Sequence, residues 1–225
     1  MRLSIIIPVL NEERTIAATV EDLARIEPCE IIVVDGGSTD RTAEIVRDGP
    51  ARLVVSARGR AAQMNQGARS ATGDVLLFLH ADTRLPGTAA PDVQGCMADP
   101  ACVGGRFDIR LDSSRPLLRI VGRMISLRSR LTRVATGDQA IFVRRTAFER
   151  LGGFPEIPIM EDVAFCRELK REGPIACLRS QVVSSARRWE QNGPVRTILL
   201  MWTLKLLYLA GVSPARLKRL YSEAR

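Results

Sequence analysis

Apolar and polar positions fall into alternating blocks over the first eighty or so residues. Leu3-Ser-Ile-Ile-Ile-Pro8-Val9 is an almost unbroken apolar run. It reads as a strand with Pro8 at its end, where a missing N–H does no damage. Asn11 is a predicted N-cap, and Ile16, Val20, Leu23 and Ala24 form the apolar stripe of the helix it starts. Glu30 to Asp35 is a second buried strand, ended by the turn Gly36-Gly37-Ser38-Thr39-Asp40, which leads into a helix. Arg52 to Ser56 is a short third strand. Gly59 to Ala71 has helical periodicity, is closed by Gly73, and delivers the chain to Val75–Leu79. That last run is apolar at every position, as in a strand buried on both faces. Strand and helix therefore alternate, which predicts an α/β fold: a doubly wound, mostly parallel central sheet flanked by helices.

The second half is less regular. Cys102 to Leu111 is a predicted strand, and Pro116 to Leu131 a helix whose arginines at 115, 119, 123 and 130 fall nearly on one face. Gln139 to Arg144 is another strand. Thr146 and Glu149 have the spacing of a capping box for a short helix ending at Gly152-Gly153. Glu161 to Arg171 is a further helix, stopped by Gly173-Pro174. Gly193-Pro194 opens an apolar helix, Val195 to Leu209, and Ser213-Pro214 caps a final basic one with Arg216, Lys218 and Arg219. A membrane span needs roughly 20 apolar residues, and Lys205 interrupts this shorter run. It reads as a core or dimer helix, or as a monotopic membrane contact. With no internal repeat and no long linker, residues 1–192 are expected to form one domain. Residues 193–225 are then a helical extension packed on that domain, on a membrane or on a partner.

Composition narrows the partners. The formal charge of +8 is carried almost wholly by arginine, which favours bidentate contact with phosphate. Aromatic residues are only 4% of the chain, too sparse for the stacking surface of a nucleic-acid-binding module. The five cysteines are scattered, without zinc-ligand spacing, and read as reduced thiols. The chain begins directly with a strand and shows no signal-peptide layout. A cytoplasmic protein is expected, peripheral on the inner face of the membrane if the apolar helix docks there.

Candidate chemistry collects at the strand ends. After Val75–Leu79 the chain changes at once to His80-Ala81-Asp82-Thr83. In an open α/β sheet ligands bind at the carboxyl ends of the strands. Residues two apart there can face one ion, and carboxylate oxygens suit Mg²⁺ or Mn²⁺. Glu12 and Asp35 stand at the ends of the first two strands or just beyond. Glu161-Asp162 opens a helix whose N-terminal dipole favours ionised carboxylates, the form a general base needs. Arg187-Arg188-Trp189 offers a diphosphate clamp and a stacking ring.

In this order, these segments resemble the family 2 glycosyltransferases with the GT-A (Rossmann-like) fold. Ile6-Ile7-Pro8-Val9-Leu10-Asn11-Glu12 is similar to that family's opening motif, and Ile32 to Asp40 to its nucleotide-binding strand and turn. Gly59-Arg60-Ala-Ala-Gln63-Met64-Asn65-Gln-Gly67 is similar to the helix that follows. His80-Ala81-Asp82 stands in the place of the metal-binding DxD. Gly152-Gly153-Phe154, then Glu161-Asp162, match the segment carrying the catalytic base.

The resemblance implies a metal-dependent, inverting transfer from a nucleotide-diphospho-sugar to an acceptor hydroxyl. Pro8, Asn11, Glu12 and Asp35 would hold the nucleoside, with Arg60, Ala81, Arg188 and Trp189 also on the donor. Asp82, with His80, would bind Mn²⁺ or Mg²⁺. Asp162 would be the base, and Asp138 and Glu161 would lie on the acceptor side. His80 departs from the first Asp of the DxD. Ser185 replaces the Gln of the Gln-x-x-Arg-Trp signature of processive synthases, so polymer synthesis is not expected. The chain is closer to a short subgroup associated with radical-SAM and selenium-linked gene neighbourhoods. The acceptor, whether lipid, small molecule or peptide, is left open, as is a homodimer. Two rivals stand beside this reading. One is a nucleotidyltransferase, although Pro8 to Glu12 is no Gly-rich phosphate loop. The other is a non-catalytic sugar-nucleotide binder.

Overall fold

The apolar runs become strands of a single sheet in the computed structural model, which describes residues 1–26 and 29–223. Strand β1 (Leu3–Val9), helix α1 (Ile16–Leu23), β2 (Cys29–Asp35), α2 (Thr42–Arg47), β3 (Arg52–Val55), α3 (Arg60–Ser70) and β4 (Val75–Phe78) alternate as the pattern requires. β1 pairs in parallel with β2 and β4, and β2 with β3. Val75, Leu76, Leu77, Phe78 and Leu79 are all buried, as expected for a strand covered on both faces.

Beyond β4 the pattern changes. A two-residue strand, β5 (Thr83–Arg84), and α4 (Ala89–Met97) lead to β6 (Gly104–Asp112) and α5 (Pro116–Thr132). A 3-10 turn at Gly137–Gln139 precedes β7 (Ile141–Arg144), which lies antiparallel to both β4 and β6. Helices α6 (Arg145–Arg150) and α7 (Glu161–Glu172) follow. Then β8 (Ile175–Ser185) pairs in parallel with β6 and antiparallel with β5. The sheet order is β3-β2-β1-β4-β7-β6-β8-β5, so the parallel half ends at the β4/β7 seam. Helices α8 (Arg187–Asn192), α9 (Pro194–Leu209) and α10 (Pro214–Glu223) close the described chain. Ile198 of α9 packs on the larger core cluster and Tyr208 on the smaller one.

Three local expectations are corrected. Asn11 does not cap α1: its φ is +56, a left-handed conformation that Asn tolerates, and the helix starts at Ile16. Ala24 lies beyond the end of α1 and is exposed. Thr146 lies inside α6, whose N-cap position is Arg144, with no side-chain cap. The capping box that does form joins Thr136 to Gln139 in the 3-10 turn.

Helix α5 carries three rows, as its 100° per residue allows. Leu118, Val121, Gly122 and Ser129 face the core. Arg115, Arg119 and Arg123 form an exposed row, while Arg130 turns inward to Asp108 at 2.7 Å. Leu117, Ile120, Met124, Leu127 and Leu131 make a third row, apolar and exposed, with Leu131 76% accessible. Helix α9 has a matching exposed row: Val195, Leu199, Trp202, Leu206 and Leu209. Among the described residues no helix is long and apolar enough to cross a membrane.

Candidate active site

The carboxyl ends of β1 and β2 are tied together from α3. The buried Gln63 amide donates to the Val9 carbonyl at 2.7 Å and to the Val34 carbonyl at 2.8 Å. The loops after the two strands clasp each other. The Thr39 N–H donates to Asn11 Oδ1 at 2.9 Å, the Asn11 N–H to Ser38 Oγ at 2.9 Å, and the Glu12 N–H to Thr42 Oγ1 at 2.8 Å. Asp35 is buried and accepts the Ser38 hydroxyl at 2.5 Å. Asn11, Glu12 and Asp35 thus share one strand-end patch, and their bonds shape its loops.

A narrow cleft lies between this patch and the second half of the chain. Pro8, Arg60, His80, Gly137, Glu161 and Asp162 line it. Four rings hold its floor: Phe78 packs on Phe148 and Phe154, and Phe154 on Phe165 at 4.4 Å between centroids. Phe78 lies two residues before His80 and Phe165 three after Asp162, so this packing fixes both. Asn65 completes the frame, donating to the Phe154 carbonyl and accepting the Phe154 N–H, each at 2.8 Å.

Asp162 is half-buried in the first turn of α7. Its Oδ2 accepts the Gly137 N–H at 2.7 Å and its Oδ1 the Val163 N–H at 2.7 Å. Two backbone donors hold the carboxylate in one orientation. Glu161 is only 5% exposed and turns the other way, 3.6 Å from Arg60. The helix dipole is not the dominant influence on Glu161: burial, then the charge of Asp162, push its pKa up. Asp138 accepts the Thr136 hydroxyl at 2.5 Å, and burial raises its pKa too.

His80 places Nε2 against Gly137, buried and without a hydrogen-bond partner among the described residues. Burial, then the charges of Arg60 and Arg188, keep the imidazole neutral. Ala81 is buried, and its carbonyl accepts the Thr19 hydroxyl at 2.6 Å. Asp82 is half-buried beyond the lining of this cleft, its carbonyl accepting the Ser185 N–H at 3.1 Å. Trp189 packs against the larger core cluster, while Arg188 is exposed with its guanidinium 5.6 Å from the Tyr221 ring. Among the described residues, no three His, Cys, Asp or Glu side chains are grouped to hold a metal ion.

Two cations at this site went unread in the sequence. Burial lowers the pKa of Arg128, on α5, which feels the charges of Asp138 and Asp162. Lys205, on α9, is brought down to about 8 by burial and then by Arg128, and it also feels Asp162. The available signal was positional: Arg128 stands off the row of arginines at 115, 119, 123 and 130.

The family model described as "Glycosyl transferase family 2" matches residues 4–152. An undecaprenyl-phosphate 4-deoxy-4-formamido-L-arabinose transferase of Pseudomonas paraeruginosa is 33% identical over 190 residues, 76% of this chain and 52% of that one. The chain spans between about a third and a half of the length of the curated relatives it matches. Among solved structures, S. aureus TarS residues 1–349 in complex with UDP-GlcNAc superposes with a TM-score of 0.65. That match has 20% identity and covers 82% of this chain and 58% of that one. Glucosyl-3-phosphoglycerate synthase from Mycobacterium tuberculosis, with Mn²⁺, UDP and glucosyl-3-phosphoglycerate, superposes at 0.58 with 19% identity, covering 81% and 70%. At these identities the structural matches establish the GT-A fold.

Proposed function

The chain belongs to glycosyl transferase family 2, and from that premise we propose a single-displacement transfer that inverts the anomeric carbon of a nucleoside-diphosphate sugar. The acceptor oxygen forms its bond to that carbon as the carbon–oxygen bond to the diphosphate breaks, and Asp162 takes the acceptor's proton. The observation that carries this reading is the carboxylate of Asp162, clamped by the Gly137 N–H on the wall of the cleft that Pro8, Arg60 and His80 also line. Pro8, Asn11, Glu12 and Asp35 take the nucleoside, and Arg60 and Arg188 face the diphosphate, where cations stabilise departing charge.

A divalent metal of the Mn²⁺ or Mg²⁺ kind would be held by His80 and by Asp82, which stands beyond the lining of the cleft. The His80 imidazole is neutral with an unpartnered nitrogen, and a carboxylate follows at Asp82. Such ions commonly take one or two protein ligands and complete their shell with substrate phosphates. When bound, the ion would neutralise charge on the departing diphosphate.

The exposed apolar rows on α5 and α9 have a counterpart in this reading: the surface of an anionic lipid bilayer. The arginine row beside the apolar row of α5, with a net charge of +8, supplies the charge complementarity.

Calorimetric titration with a panel of nucleotide-sugars, with and without Mn²⁺, tests the proposal. One donor should bind, and single-turnover mixing should release its nucleoside diphosphate. A chain that binds no nucleotide-sugar overturns the reading.

A further inference from the structure

The bond that aims Asp162 is only as firm as the turn that supplies it. Gly137 opens a 3-10 turn of three residues, a form whose own backbone hydrogen bonds have poor geometry. Gln139 closes that turn and is fully buried. Its Oε1 accepts the Thr136 N–H at 3.4 Å, and its Nε2 donates to Ser129 Oγ at 2.9 Å and to the Phe107 carbonyl at 3.3 Å. The amide thus joins the turn to α5 through Ser129 and to β6 through Phe107.

The anchor is itself fixed. The Ser129 hydroxyl donates to the Ser126 carbonyl at 2.9 Å, and Ser126 Oγ accepts the Ile109 N–H of β6 at 3.0 Å. Both serines are buried, so water does not compete for these bonds. They run without a gap from β6 and α5 to Gln139, and the turn carries them on to the Gly137 N–H and Asp162 Oδ2. An apolar side chain would fill the same space without three partners to satisfy, so what the amide adds is direction.

The backbone after Gln139 agrees. Ala140 is buried at φ +47, a left-handed conformation that residues with a side chain rarely adopt. Such a residue persists only where its surroundings over-determine it, and such positions cluster at active sites. We infer that Gln139, anchored on Ser129, is a positioning residue for the base: it sets the turn from which the Gly137 N–H orients the Asp162 carboxylate. This rests on the reading of Asp162 given above. Gln139 stands outside the lining of the cleft, so its effect passes through Gly137.

Amide hydrogen exchange on the full ¹⁵N-labelled chain tests the clamp without any substrate. Gln139→Met keeps the length of the side chain and removes all of its hydrogen bonds. Exchange at Gly137 should quicken about tenfold or more, the scale of one or two lost hydrogen bonds, while amides of β1 and β4 keep their protection. A side chain that only stabilised the fold would quicken exchange in those strands as well. Ser129→Ala removes one partner, leaves the Phe107 bond, and should give a smaller change of the same sign even if Gln139→Met fails to fold. On the same preparations, release of nucleoside diphosphate from a bound nucleotide-sugar should fall at least tenfold in Gln139→Met, with donor affinity within a few-fold of wild type. Loss of protection spread evenly over Gly137, β1 and β4 overturns the inference, as does faster exchange at Gly137 with release unchanged. Release that survives Asp162→Asn overturns the base and the inference with it, whereas a Gly137 amide indifferent to both variants overturns the inference alone.

Discussion

The Gly137 N–H sits 2.7 Å from Asp162 Oδ2, a bond between residues 25 apart in sequence that joins the 3-10 turn before β7 to the first turn of α7. It aims the carboxylate, and it leaves no room for a side chain at Gly137. A Cβ there would stand 2.6 Å from His80 Nε2 and 3.7 Å from Asp162 Oδ2.

Asp162→Asn is nearly isosteric and cannot accept a proton. Turnover should fall by about 10² to 10⁴, the usual contribution of a general base. Donor affinity by calorimetry should stay within a few-fold of wild type. Transfer within a few-fold of wild type would move the role to Asp138.

Gly137→Ala tests the clamp rather than the base. The methyl must displace the His80 ring or shift the turn, so the Asp162 carboxylate loses its orientation. Single-turnover transfer should drop at least tenfold, since about an ångström of misplacement can cost on the order of 10² in rate. The expected signature is a loss in kcat that exceeds the change in donor Kd.

Asn65→Ala removes both hydrogen bonds to Phe154 and leaves a buried N–H and carbonyl unpaired. The cost should be about 2–3 kcal/mol. At this chain length that corresponds to a fall of about 4–12 °C in Tm. A Tm within a degree of wild type would show that water replaces the amide.

Lys205 makes stability depend on pH in a stated direction. Its pKa is about 8 in the folded chain against an ordinary value of 10.5, so between these values the unfolded chain binds more protons. Stability from this group therefore rises as pH climbs from 8 towards 10.5. The neighbouring Cys166 thiol, pushed up to about 12 by burial, works in the opposite sense above its ordinary value of 9.0. The difference in Tm between wild type and Lys205→Met isolates the lysine: wild type should gain on the variant across this window. A flat difference would place the ammonium in water.

Co-sedimentation with vesicles checks the lipid surface. Binding to anionic vesicles at low salt should exceed binding to neutral ones, and Met124→Glu with Trp202→Glu should abolish it. Protein that stays in the supernatant would assign the two apolar rows to another occupant, and dimerisation measured on the same samples would identify a second copy.

The first half was legible because each element there is specified locally. Val75 to Leu79 is apolar at every position, and Gly73 and His80 bound it. The helix α5 and the stop at Gly173 were legible for the same reason. What escaped depends on pairing between distant segments. β5 is two residues long and exists because Ser184 and Val183 pair with it. Asn11 has the composition of a cap, but Ser38 and Thr39 in a loop 27 and 28 residues away take its hydrogen bonds instead. Pro8, Arg60, His80, Glu161 and Asp162 line one cleft. Arg128 could not be found by motif, since what marks it is a guanidinium edge shut off from solvent without a hydrogen-bond partner among the described residues.

The β4/β7 seam gives the molecule a division of labour that its single sheet conceals. On the proposed reading, Pro8, Asn11, Glu12 and Asp35 hold the nucleoside from β1, β2 and the loop after β1, before the seam, while Asp162 serves the acceptor from α7, after it. The two specificities can then drift separately. A chimaera joined near Asp99-Pro100, in the turn between α4 and β6, would inherit its nucleoside preference from one parent and its acceptor preference from the other.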